Sequence, residues 1–261
     1  MATIDERAFP NVPRQGRALP AFALVGWRWI SRNPAVTIAP ILLPFIFLYF
    51  LSLISPPSLR PLEIVGAMLF TMQNVGNWVL GDSATYRVEC ALQDLFVASP
   101  LGRVRYLFGI AFANLIAMIP ALAVLAGLLL WESGQLGRTV PWYSWFVIVG
   151  CLLILWVLFS SIGIAISSRV TSQREIWPVG NLSFTLLGML SPLYYPLSYL
   201  PPAWQVVAHF LPATYAALLI QGVLGITPAS VTSMLLYAGL LVVTALAGIL
   251  LALRWYKWGE P

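Results

Sequence analysis

Between residues 176 and 253 the chain contains no aspartate, glutamate, lysine or arginine. A soluble surface cannot be built from so long a stretch without formal charge, since soluble domains carry roughly 25% charged residues. The whole chain has 9% charged and 60% hydrophobic residues, so the same holds for all 261 positions. Apolar runs of this length read as bilayer spans, because about 20 helical residues at 1.5 Å each cover roughly 30 Å of hydrocarbon. Inside lipid every backbone amide must find its partner within the structure, which favours helices. The expected fold class is an all-α integral membrane protein.

Six transmembrane helices are expected, at about 35–54, 64–81, 106–131, 142–168, 176–193 and 231–253. Residues 1–18 form a polar tail whose composition and lateness of the first apolar run do not suit a secretory signal. Residues 19–34, LPAFALVGWRWISRNP, combine Arg28 and Arg32 with two tryptophans and read as an N-terminal amphipathic helix in the interface plane. Residues 35–261 then make a single membrane domain. Within it, 194–226 is apolar but broken by Pro196, Pro201, Pro202 and Pro212. Proline ends helices, so this region reads as two short helices, about 202–210 and 213–224, in an outward re-entrant hairpin between spans five and six.

Six spans place both termini on one side. The arginines and the lone lysine then divide twelve against two, with only Arg60 and Arg138 on the far side. By the positive-inside bias both termini are cytoplasmic and 194–226 faces outward.

The strongest break in the apolar pattern is YRVECALQDLFVASPLGRVRY, residues 86–106. As a helix over 87–98 it aligns Val88, Leu92, Leu95, Phe96 and Ser99 on one stripe, with Tyr86, Glu89, Gln93 and Asp94 on or beside the other face. Ser99-Pro100 ends it. Two functions suit such a helix: a lever through which something outside the membrane moves the spans, or a helix lying on lipid headgroups.

Several chemistries are excluded. Lys257 is the only lysine and is followed by Trp258, so a phosphate-gripping Gly-x4-Gly-Lys-Ser/Thr loop does not exist in these residues. His209 is the only histidine, which leaves no Cys/His metal cluster; no metal site and no catalytic residue is expected. Cys90 and Cys151 read as a free thiol and a buried small residue. Gln73, Asn74 and Asn77 in span two, with Asn114 in span three and Asn181 in span five, suit either a substrate path or hydrogen bonds between helices, the second being the commoner use. Ala123/Gly127 and Gly248/Ala252 are small pairs spaced for close helix packing, a dimer seam being one place such pairs are used. Arg254-Trp-Tyr-Lys257 reads as a basic, aromatic stop at the interface.

Three stretches resemble the membrane subunit of ATP-binding-cassette (ABC) exporters of the type-2 permease family. RNPAVTIAPILLPFIFLYF (32–50) is similar to the family's interfacial helix leading into a proline-containing first span. LQDLFVASPLGR (92–103) is similar to its cytoplasmic coupling segment, although Ala91 and Gln93 stand where Gly-Thr and Glu are commoner and one extra residue precedes Ser99-Pro100. SPLYYPLSYLPPAWQVVAHFLPATYAALLIQGVLG (191–225) carries the family's Pro-Leu-x-x-Leu-Pro, Trp204, Leu-Pro-x-Thr-Tyr and Gly222. The resemblance implies a coupling helix between spans two and three, in which Arg87, Val88, Glu89, Leu92, Asp94, Leu95, Phe96, Ser99 and Pro100 meet a cytoplasmic ATPase. It implies an outer gate with Pro196, Pro201, Trp204, Pro212 and Tyr215. It further implies two ABC ATPase subunits, a second permease chain as homodimer or heterodimer, and ATP and Mg bound by the ATPases, with no cofactor here. The expected setting is the plasma membrane of a prokaryote, without nucleic acid, and the cargo a drug, lipid or lipid-linked glycan moved outward. The drug and lipid exporters are the nearer likeness.

Two other classes compete. A lipid or prenyl transferase needs clustered carboxylates for metal-bound diphosphate, whereas Asp82, Glu89 and Asp94 are scattered along one cytoplasmic loop. A passive channel or assembly factor would work without any ATPase. No charge is expected deep in a span, which argues against a proton relay.

Overall fold

A computed structural model of the chain describes residues 34–88, 102–137, 139–256 and 258, with Leu24, Trp27, Arg28, Ser31, Arg32, Gln93 and Val97 as single positions. Of the expected interfacial helix those first five positions are described, all helical and exposed, together with Pro34, which begins the next helix. The rest of that helix, and the 1–18 tail, lie outside the described residues. Among the described residues eight α-helices follow: α1 (Pro34–Ile54), α2 (Arg60–Val88), α3 (Arg103–Gln135), α4 (Trp142–Ser167), α5 (Gln173–Leu190), α6 (Pro202–Ala208), α7 (Pro212–Val223) and α8 (Val231–Trp255). No strand occurs among the described residues. The described helices make this an all-helical chain.

The most polar of the long apolar helices takes the centre. α2 packs against α3, α4 and α5, and nearly every residue from Pro61 to Ala84 is buried, including Gln73, Asn77 and Ser83. This follows from solvation: in lipid the amide side chains of α2 have no partner, so the helix bearing them belongs where other helices supply one. The outer helices show the reverse pattern. Leu43, Phe50 and Leu53 on α1, Trp142 and Phe146 on α4, and Leu235, Val243 and Leu250 on α8 are exposed, the arrangement of a protein solvated by hydrocarbon. Among the described residues three helices, α3, α4 and α8, are long and apolar enough to cross a membrane, or four counting the bent α6–α7 pair as one span.

Close approach at the centre depends on glycine. A Cβ on Gly163 of α4 would overlap the Gly76 carbonyl oxygen of α2 and lie 3.2 Å from the Leu80 nitrogen. The small pairs singled out in the sequence behave differently. Gly248 and Ala252 are buried, and a Cβ on Gly248 would meet Leu158 of α4, so this pair serves packing within the chain. A Cβ on Gly127 meets nothing within 4 Å.

α2 continues seven residues past the expected end of the second span at 81, to Val88. Asp82, Arg87 and Val88 therefore belong to it, not to a loop or a separate helix. Charge alone does not stop a helix; Gly and Pro do, and none occurs between Asp82 and Val88.

Candidate functional site

The residues expected to meet an ATPase fall at the end of α2 and just beyond. Glu89, Leu92, Asp94, Leu95, Phe96, Ser99 and Pro100 lie outside the described residues. Val88 is 36% exposed, as is Val97. Arg87 turns inward: its guanidinium donates to the carbonyl oxygens of Ser167, Ser168 and Val170. Ser167 and Ser168 lie at the C-terminus of α4 and Val170 just beyond it, where the macrodipole favours a cation. Ser83 and Ser167 hydroxyls meet 3.0 Å apart alongside. At the other end of the segment Arg103 donates to the carbonyls of Ala252 and Leu253 at the end of α8. Both arginines thus cap helices distant in sequence.

Gln93, expected beside the polar outer face, is 3% exposed and its Oε1 accepts a 2.8 Å bond from the Tyr256 hydroxyl. Sequence reasoning missed this pairing, because a contact between positions 163 apart leaves no periodic trace.

The polar residues of the spans are mostly engaged with one another. Gln73 Nε2 donates to the Phe184 carbonyl at 2.9 Å, and Asn77 Nδ2 to Asn181 Oδ1 at 2.7 Å, joining α2 to α5. Asn114 Nδ2 donates to Asp82 Oδ2 at 2.8 Å, joining α3 to α2. Asp82 is therefore a carboxylate facing the interior of the helix bundle, where the sequence placed it in a loop. Asn74 is half-buried and lines a cleft of about 110 Å³ with Phe70, Trp78 and Met118.

A larger apolar cavity, about 420 Å³, opens between α1, α2, α5 and the chain after α5, with Phe47, Phe50, Phe70, Met189 and Tyr194 in its wall. Tyr194 meets Phe47 edge-on at 4.7 Å. Beyond it Pro196 precedes a 3-10 turn, Leu197–Tyr199, Pro201 is the N-cap of α6, and Pro212 opens α7. α6 and α7 are bent by 102°. Tyr215 donates its hydroxyl to the His209 carbonyl across that bend and stacks on Tyr237 of α8. Trp204 is 49% exposed.

At the opposite end from Arg87, Arg60 and Glu132 form an ion pair at 3.5 Å, near the buried Glu63. The Arg60 and Glu132 side chains are 38% and 21% exposed, so water screens the pair. Arg60→Ala is expected to cost under about 1 kcal/mol, a fall in Tm of at most about 4 °C in detergent.

The family model of the ABC-2 type transporter matches residues 21–225. The chain belongs to that family. It is thus a multi-pass membrane protein and the permease component of an ABC-2 transporter, a transport component and not itself an ATPase. The match takes in α1 through α7 and the 89–101 segment, and stops at the end of the α6–α7 bend. No curated protein matches this ABC-2 permease.

Proposed function

We propose that this ABC-2 permease exports a hydrophobic or amphipathic cargo, a drug, lipid or lipid-linked glycan, powered by two separate cytoplasmic ABC ATPases that bind ATP and Mg. A second permease chain, identical or not, completes the pathway. α1 to α5 and α8 are the six spans, α6 and α7 the outward re-entrant hairpin, and both termini lie in the cytoplasm of a prokaryote. The observation that carries the reading is the α2–α3 connection. It leaves Val88, at the end of α2, and Val97 exposed, in a permease with one lysine and no phosphate loop of its own. Val88, Leu92, Leu95 and Phe96 insert into a groove of the ATPase, Glu89 and Asp94 bond at its rim, and Ser99 and Pro100 complete the coupling segment. Arg87 anchors the start of the segment.

The apolar cavity beside α1 and α5 supports a greasy cargo. Of the three span-two amides, Asn74 lines open space; Gln73, Asn77, Asn114 and Asn181 support the path by holding α2, α3 and α5 in register. Pro196, Pro201, Trp204, Pro212 and Tyr215 shape the outer gate.

The test is purification of the permease with its ATPases from membranes. Wild type should bring the ATPase with it. Leu92→Asp buries a carboxylate in the groove, which costs several kcal/mol, so the ATPase should be lost while the permease still elutes as one folded species. Glu89→Arg should act the same way through the rim. An ATPase retained at wild-type levels by both variants, with transport intact, rejects the coupling role.

A further inference from the structure

We infer that the C-terminal segment around Tyr256 is a transmission joint that carries motion of the α2–α3 connection into α8. This rests on the coupling reading above and adds a route that reading does not contain. The sequence casts the aromatic residues after α8 as lipid-interface anchors, and an anchor presents its ring to the headgroups. Tyr256 does the opposite, being 3% exposed. Its hydroxyl holds Gln93, in the middle of the connection, at 2.8 Å. Its ring lies under the Arg103 guanidinium, 5.7 Å from the centroid, at the connection's far end. The side chains of Ser83, Tyr106 and Arg87 lie close by.

The neighbours of Tyr256 repeat the pattern. Trp255 takes the Arg169 guanidinium at 5.2 Å, from the connection between α4 and α5. Trp258 packs on Tyr106 of α3 at 5.4 Å. Arg103 also donates to the Ala252 and Leu253 carbonyls in the last turn of α8, and the Ala252 carbonyl accepts the Tyr256 amide N–H as well. Both connections on this side of the bundle are therefore tied to one short segment that ends α8. A push on the connection cannot displace Gln93 and Arg103 without either moving α8 or breaking these contacts. Burial raises the Tyr256 hydroxyl above its ordinary value, so the phenol stays protonated and remains a donor.

The experiment uses the full permease complexed with its ATPases in lipid nanodiscs, in a Cys90→Ser background. An environment-sensitive fluorophore is placed on Val97→Cys in the connection, or on Val231→Cys at the far end of α8, 73% exposed. ATP with vanadate should change both signals in the otherwise wild-type complex. Tyr256→Phe and Gln93→Leu should each leave the Val97 response intact and cut the Val231 response about fivefold, the effect of one hydrogen bond. The double variant should lose no more than either single one, because all three remove the same bond. Tyr256→Ala, which also removes the Arg103 contact, should lose more; should it not fold, the Phe and Leu variants carry the test. ATPase co-purification should be unchanged throughout. A full Val231 response in Tyr256→Phe and Gln93→Leu, or no Val231 response in wild type, overturns the joint. A silent Val97 in wild type overturns the coupling reading instead.

Discussion

Gly163→Val should leave almost no folded permease, whereas Gly127→Ala and Gly150→Ala should be harmless. At Gly163 the obstacle is backbone: an added Cβ overlaps the Gly76 carbonyl and crowds the Leu80 nitrogen on α2. A side chain can rotate away from an intruder, but a carbonyl in mid-helix moves only with its helix. Separating α2 from α4 would loosen Phe159, which packs edge-on against Phe184 of α5 at 6.2 Å, so a third helix is disturbed as well. Overpacking costs about 1–3 kcal/mol where side chains can adjust, and this site should exceed that. At Gly127 and Gly150 a Cβ meets nothing within 4 Å. Alanine there removes a helix-weakening glycine and should be neutral or stabilising by up to about 1 kcal/mol. Size-exclusion profiles of fluorescently tagged variants in mild detergent would read the contrast. A single monodisperse peak for Gly163→Val at wild-type yield would contradict the packing argument.

Asn114→Leu comes second in expected size, and its rescue separates two roles. Asn114 is 3% exposed, and its amide donates to Asp82 at 2.8 Å. Leucine at 114 leaves that carboxylate facing the bundle without its donor, a loss of about 2–3 kcal/mol for a bond to a charged group. Such a loss corresponds to a Tm lower by roughly 4–12 °C for a chain of this size. Replacing both partners, Asp82→Leu with Asn114→Leu, removes the orphaned charge, and stability should return to near wild type. Thermal unfolding in detergent measures this, and transport then separates the roles. If Asn114 only joins α3 to α2, transport recovers with stability in the double variant. If Asn114 touches cargo, the double variant is stable and inactive.

The glycines also mark the limit of what local pattern carries. The 176–253 stretch without charge, and the proline-punctuated region from 194, are local facts, and the helices observed at 173–190, 202–208, 212–223 and 231–255 follow them closely. Hydrophobic length and helix breakers act within a few residues, so they are legible without a partner. Gly76 and Gly163 look no different in sequence from Gly127 and Gly150. What distinguishes them is which helix crosses at that height, and no local pattern encodes it.

The candidate site divides along the same line. Composition and residue types alone determined that the chain is helical and membrane-embedded, that it has no phosphate loop, and that a charged segment interrupts the apolar runs near residue 90. That much is set by solvation, since apolar length and charge decide which segments lipid will accept. Only the tertiary structure decided what the polar groups do. Arg87 and Arg103 cap the ends of α4 and α8, Gln93 turns inward to Tyr256, Asp82 lies on a helix and answers Asn114, and α2 holds the centre. The reason is that a buried hydrogen bond needs a donor and acceptor brought together across the fold, and the sequence separation of the two leaves their pairing unspecified.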